Sequence, residues 1–339
     1  MKVKILSLFF CITTILFLFA GCSTPSSVGT VGDVEIPSGL YLMLQLNAYE
    51  QAAQKVEDSK KPILKQTVDE TPAKDWIEEK TLQNVQRYAG ILSLSQEMNI
   101  TLAQSDETLI ENTLENEWNY YEEYYTKNGI GKETLRAFLE SEQKAILLLE
   151  QIYGVNGTEP VSEEELNKYI ETNYSGISYF SLPLITSDYT IANDEQKEKI
   201  REVAKDSISQ LEQGQDMETV AKESTKKVYE LLGKDTSTIE DTTVQTSTIS
   251  LPGNEESPLN KALFDTEVGG FGSSEDTSGF GITIFRRDSL TDPKQFASSA
   301  LSSMKKDEFT QKLIDKGAEM GVNLNKSAQQ ALSVNNIKT

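Results

Sequence analysis

A chain of 339 residues is long enough for two domains, each with its own core. A formal charge of −21 excludes nucleic acid as a partner, because phosphate binding needs clustered lysine and arginine. There is no histidine, which removes the commonest acid–base group, imidazole-based triads and the commonest metal ligand. Both cysteines, Cys11 and Cys22, lie in the first 22 residues, so the body of the chain has no thiol chemistry, disulfide or cysteine zinc site. No metal and no cofactor is expected.

Lys2 and Lys4 precede an apolar run over residues 5–20. That run is short for a spanning helix and suits the core of a signal peptide. It ends in Leu18, Phe19, Ala20, Gly21 and Cys22. The plainer alternative is an ordinary signal peptide cut near Ala20, or an uncleaved anchor. Small residues before a cysteine resemble a bacterial lipobox, although Phe19 stands where a branched aliphatic residue is usual. The resemblance implies a signal peptide over 1–21 and lipidation of Cys22. The protein would then sit on the extracytoplasmic face of the cell membrane, held by the two acyl chains that stable anchoring requires. Residues 22–29 read as a tether rich in Ser, Pro and Gly.

Residues 30–36 alternate like a short edge strand with a Gly-Asp turn. Helical spacing of apolar residues follows over 40–56, 76–98, 105–127 and 132–153, with a charged loop at 58–74 and a break at Asn128 and Gly129. In the helix over 105–127, Leu114, Trp118, Tyr121 and Tyr125 share one face. The bland reading is a core stripe. The functional reading is that Tyr120 and Tyr124, off that stripe, line a groove for client polypeptides, since tyrosine offers an apolar ring and a polar tip. The acidic residues Glu111, Glu115, Glu122 and Glu123 read as a solvated face. The order strand, helix, long helix, helix, Gly-turn, helix resembles the N-terminal domain of the SurA/PrsA family of extracytoplasmic foldases.

A polar turn over 154–160 reads as a hinge. Ser162 and Glu165 then form a capping box that starts a helix. A strand over 177–184 follows, then a helix over 195–213, a turn at Gly214, and a second helix through Ser224. Residues 225–249, rich in Thr and Ser, read as a loop with an irregular strand. Ser257 and Pro258 open a short helix, and residues 279–285 read as a closing strand. This order resembles a parvulin domain, the rotamase fold. What the resemblance implies can be carried over only by position. The family's two histidines fall on Tyr179 and Gly281, neither of which can replace them. Its proline pocket falls on Leu251, Leu259, Phe264 and Phe280. The apolar wall is kept by type; the polar core of the site is not.

After residue 288 the chain reads as helical again, over 295–304 and 307–320, with a frayed end at 335–339. In the resembled family this segment packs back on the N-terminal helices. The fold class expected is therefore α+β: a mostly helical SurA-N-like chaperone domain (30–157, completed by 289–335) with an inserted parvulin-like α+β domain (160–288). The function that this implies is a membrane-anchored foldase or chaperone for secreted proteins, with a weak or inactive parvulin-like module. Its partners would be unfolded or partly folded secreted polypeptides and the membrane, with a homodimer left open. Two alternatives stand beside it: an active peptidyl-prolyl isomerase, and a surface lipoprotein serving as scaffold or adhesin for one dedicated partner.

Overall fold

The structure is a computed structural model that describes residues 25–239 and 244–339. The lipobox-like segment and Cys22 lie outside the described residues. The described chain is α+β and divides into two compact units. Unit 1 runs to Leu148 and resumes over Phe309–Thr339; unit 2 is Leu149–Glu308.

Unit 1 opens with a hairpin, β1 (Ser27–Val31) and β2 (Val34–Pro37), turning at Gly32 and Asp33. The strand begins inside the stretch expected to be a tether, because Val28 has a core position to fill and is fully buried. α1 (Ser38–Lys55) follows directly, then a short hairpin of β3 (Thr67–Val68) and β4 (Thr71–Pro72), and the long α2 (Ala73–Glu97). α3 (Gln104–Lys127) and α4 (Lys132–Tyr153) are joined through Asn128 and Gly129. Arg87 of α2 holds Glu142 of α4 through two bonds of 2.5 and 2.9 Å. α3 contributes only Ile110, Leu114 and Tyr125 to the buried interior. A narrow buried stripe on a long helix leaves most of its side chains to solvent.

In unit 2, Ser162 caps α5 (Glu163–Asn173) with the capping box that the sequence predicts: the Glu165 N–H donates to Ser162 Oγ, and the Ser162 N–H donates to Glu165 Oε2, both at 3.2 Å. β5 (Tyr174–Pro183) is the strand from which the sheet is built. α6 (Asp194–Glu212) ends at Gly214, and α7 (Met217–Leu231) is capped by Asp216. α7 runs through residues 225–231, which the sequence assigns to a loop, because Thr225 and Val228 are buried against the sheet side of the helix. β6 (Gln245–Ser250), α8 (Pro258–Asp265), β7 (Phe271–Glu275) and β8 (Gly281–Asp288) complete the unit. The antiparallel order is β6-β5-β8-β7. One face packs Phe180, Leu182, Leu184, Ile282 and Ile284 against α6 and α7. The other packs Ile177 and Phe285 against Leu263 of α8.

α9 (Ala297–Glu319) is one continuous helix where two are expected, since no glycine or proline interrupts it before its C-terminal turns. Its first turns lie in unit 2, where Ala300 and Phe296 pack on Ile170 and Tyr174. Its last turns lie in unit 1 against α2. There Gly317 approaches so closely that an added Cβ would stand 2.0 Å from the Gln86 carbonyl oxygen, and one on Gly90 would stand 2.0 Å from that of Leu313. β9 (Val322–Leu324) pairs with β1, and Ala328 of α10 (Lys326–Ala331) joins Leu332, just past that helix, in the core under the hairpin. The extreme C-terminus is not frayed. Val334 is buried, and the Asn128 side chain bonds the Lys338 backbone at both its N–H (2.8 Å) and its carbonyl (2.9 Å).

Candidate functional site

Two surfaces answer to the residues singled out in the sequence. The first is the α8 face of the sheet in unit 2. β5 and β8 are antiparallel, with Tyr179 opposite Phe285 and Pro183 opposite Gly281. Tyr179 and Gly281 therefore stand four residues apart along the ladder, about 13 Å at the rise of a strand. They do not form one site. The Tyr179 hydroxyl instead donates to Gln245 Oε1 on β6 at 2.8 Å. An added Cβ on Gly281 would meet only ordinary contacts, so packing does not demand glycine there.

The expected proline pocket is dispersed for the same reason. Leu251 follows Ser250, which pairs with Tyr174 at the start of β5. Phe280 precedes Gly281, which pairs with Pro183 at its end. Nine residues of strand, about 30 Å, separate those two ends. Phe280 is 54% exposed on the β7–β8 turn. Leu259 and Phe264 pack with Tyr179 and Ile249 around the buried Ile177, Leu263 and Phe285. Arg287 seals this face further. Its guanidinium stacks 5.0 Å over the Phe264 ring and donates to the carbonyls of Phe264 and Thr266 at 3.0 and 2.8 Å. Burial lowers its pKa from the ordinary arginine value. Gly272 of β7 lies flat on Phe285, where a Cβ would be 2.6 Å from the ring. The face is filled by the protein's own side chains.

The second surface is a cleft between α1 and α3. Glu50, Ala53 and Gln54 lie at i, i+3 and i+4 on α1; Glu117, Tyr121, Tyr124 and Tyr125 lie at i, i+4, i+7 and i+8 on α3. Each set shares one helix face, and together they line a cavity of 510 Å³. Ala53 keeps one wall low, and the tyrosines build the other. Tyr121 is 46% exposed and Tyr120, beside it, 79%. Their rings meet edge to face with centroids 4.6 Å apart. Tyr125 is buried and stacks on Trp118 at 6.2 Å, which anchors the aromatic row to the core.

Hydrogen bonds fix the rings. The Tyr124 hydroxyl donates to Glu50 Oε1 at 3.2 Å, and the Tyr125 hydroxyl to Glu117 Oε2 at 3.3 Å. Burial first, and then the neighbouring carboxylate charge, pushes both phenols above their ordinary range, so both remain donors at neutral pH. Glu50 keeps access to solvent through the cleft. Partial burial still raises its pKa, against the opposing effect of the Tyr124 hydrogen bond.

Of the two tyrosines expected to bind clients, Tyr124 lines the cleft and Tyr120 flanks it. Tyr121, assigned to a core stripe, is instead an exposed member of the lining. The spacing is compatible with the stripe, but the core reaches only Leu114, the half-buried Trp118 and Tyr125. Glu50, Gln54 and Glu117 were not anticipated, because nothing local in α1 announces that α3 lies beside it. Among the described residues, no three His, Cys, Asp or Glu side chains are grouped as metal ligands would be. No helix among them is long and apolar enough to cross a membrane.

No protein-family model matches the chain, and no curated protein matches it. Among solved structures it is similar to the foldase protein PrsA of Streptococcus pneumoniae, at 14% identity over 78% of this chain and 94% of that one, with a TM-score of 0.40. It is also similar to the foldase PrsA of Lactococcus lactis (12% identity, 93% and 100% covered, TM-score 0.36). A third is the peptidylprolyl isomerase PrsA of Bacillus cereus (14% identity, 80% and 95% covered, TM-score 0.32). Identities and scores this low do not place the chain in their family.

Proposed function

We propose that the protein is an extracytoplasmic foldase or holding chaperone, anchored to the membrane through a lipid on Cys22, and that it binds unfolded secreted polypeptides in the α1–α3 cleft. The observation that carries this reading is an open cavity lined by tyrosines, with the exposed ring of Tyr121 in its wall and that of Tyr120 beside it, an arrangement that leaves aromatic surface in water without a partner. Tyrosine rings accept varied side chains at low cost in conformational entropy, which suits a site for many sequences. Unit 2 serves this reading as a folded module without strong prolyl isomerase activity. The barrier to prolyl rotation is about 18–20 kcal/mol. Lowering it calls for an open pocket that grips the ring, and the sheet face is occupied by Ile177, Phe285, Leu259 and Phe264.

The test uses soluble protein beginning at Ser23 and a chemically denatured, aggregation-prone substrate. Suppression of light scattering at equimolar protein, lost in the double variant Tyr121→Ala/Tyr124→Ala, is the expected result. No suppression at tenfold excess, or suppression untouched by the double variant, contradicts the assignment.

A further inference from the structure

The chemistry of the cleft selects among clients. On the helices of unit 1 several carboxylates are paired with cations. Glu111 of α3 is held by Arg136, and Glu115 by Lys132 at 2.6 Å. On α2, Glu97 is held by Lys316 at 2.7 Å, and on α4, Glu142 by Arg87 at 2.5 Å. Glu50 and Glu117 are not among them, and both line the cleft. Among the described residues neither is in an ion pair, and each receives a tyrosine hydroxyl on one carboxylate oxygen only. Among the described residues, no basic side chain lines the cavity. Two carboxylates with spare acceptor capacity therefore face the same space as three tyrosine rings.

That combination is a receptor for positive charge. An aromatic face attracts a cation through its quadrupole, and a carboxylate alongside adds a charge-assisted hydrogen bond. The chain already shows one of these rings in that role, since Lys127 Nζ sits 5.2 Å from the centroid of Tyr124. Ala53 and the ring edges offer apolar surface for the methylene stem of a long side chain. The cavity, at 510 Å³, is large enough for a lysine or arginine side chain together with a residue on either side of it.

Resting on the foldase reading above, we propose that the α1–α3 cleft is a site for the lysine and arginine side chains of extended, unfolded polypeptide, so that clients are held at their basic segments. Glu50 and Glu117 supply the charge complement, and Tyr121 and Tyr124 the ring faces.

The test measures fluorescence anisotropy of labelled twelve-residue Gly/Ser peptides that carry two leucines and, at two further positions, lysine, arginine, glutamine or glutamate. Lysine and arginine peptides should bind about tenfold tighter than the glutamine peptide, and the glutamate peptide weakest. Glu50→Gln/Glu117→Gln, which keeps shape and hydrogen bonding, should abolish that preference, so that the lysine, arginine and glutamine peptides bind alike. Higher salt should reduce the preference in the unaltered protein. Equal binding of lysine and glutamine peptides, with both lost in Tyr121→Ala/Tyr124→Ala, overturns the cation selectivity and leaves the client-binding reading standing. Binding of no peptide overturns both. A lysine preference that persists in the double Gln variant places the cation elsewhere and overturns the assignment to this cleft. Circular dichroism of each variant confirms that it is folded.

Discussion

The α8 face of the sheet in unit 2 and the α1–α3 cleft in unit 1 carry similar residue types and use them in opposite ways. Both offer aromatic rings beside polar groups. On the sheet, Phe285 is fully buried under Gly272 and against Leu263, Tyr179 is turned to Gln245, and Arg287 is spent on the end of α8. At the cleft, Tyr121 and the flanking Tyr120 stay in solvent, and among the described residues Glu50 and Glu117 are in no ion pair. The difference comes from packing geometry. Strands at 4.7–4.9 Å spacing with a helix across them leave little room between side chains. Two long helices that meet along a narrow stripe leave an open groove beside it.

The sharpest contrast should appear in stability. Phe285→Ala removes a fully buried ring from a closed cluster and should cost about 4 kcal/mol. Tyr121→Ala removes an exposed ring and should cost less than about 0.5 kcal/mol. Urea unfolding of the two variants checks both, and comparable losses would erase the distinction between a sealed face and an open one. Gly317→Ala comes next, because its methyl group has no space against the Gln86 carbonyl. It should cost about 2–3 kcal/mol and loosen the last turns of α9 from α2. Hydrogen exchange should show faster exchange in α2 and the end of α9, with the sheet of unit 2 unaffected. If Gly317→Ala is neutral, the C-terminal helix does not hold unit 1 together as described.

The smallest effect is electrostatic. Partial burial raises the Glu50 pKa, so the folded state holds its proton more tightly than the unfolded chain does. A carboxyl group raised in this way contributes stability that is fully present below its unfolded pKa and is lost as pH rises through the folded value. Glu50→Gln should therefore be neutral or slightly stabilising at pH 7. Tyr124→Phe deletes the bond that opposes the shift and should raise the Glu50 pKa further. Carboxyl chemical shifts followed from pH 3 to 8 read this out directly, and an unchanged or lowered value would show that the hydroxyl does not reach the carboxylate.

Much of the fold was legible from local signals. The capping box at Ser162, the break at Asn128 and Gly129 and the turn at Gly214 each appear where the sequence places them, because the cause lies within a few residues. Val31 and Ile36 fall in the stretch that reads as a strand and turn, whereas Val28 lies among Ser, Pro and Gly residues that read as a tether, and a shift of register beside it breaks the alternation that would have joined it to the strand. Pairing register was not legible. The separation of Leu251 from Phe280, and of Tyr179 from Gly281, depends on which residues of β5 face β6 and β8, which no local pattern states. The cleft was half legible. The aromatic row on α3 could be read, while Glu50 and Gln54 joined it only through the packing of α1 beside it.

The central claim is that polypeptide is bound in the helical cleft and not on the sheet. Chemical-shift mapping with a permanently unfolded, leucine- and lysine-containing model polypeptide tests it directly. Perturbations should concentrate at Glu50, Ala53 and Gln54 of α1 and at Glu117, Tyr121 and Tyr124 of α3. Perturbations concentrated instead at Tyr179, Phe285 and Leu259, with α1 and α3 silent, would contradict the account.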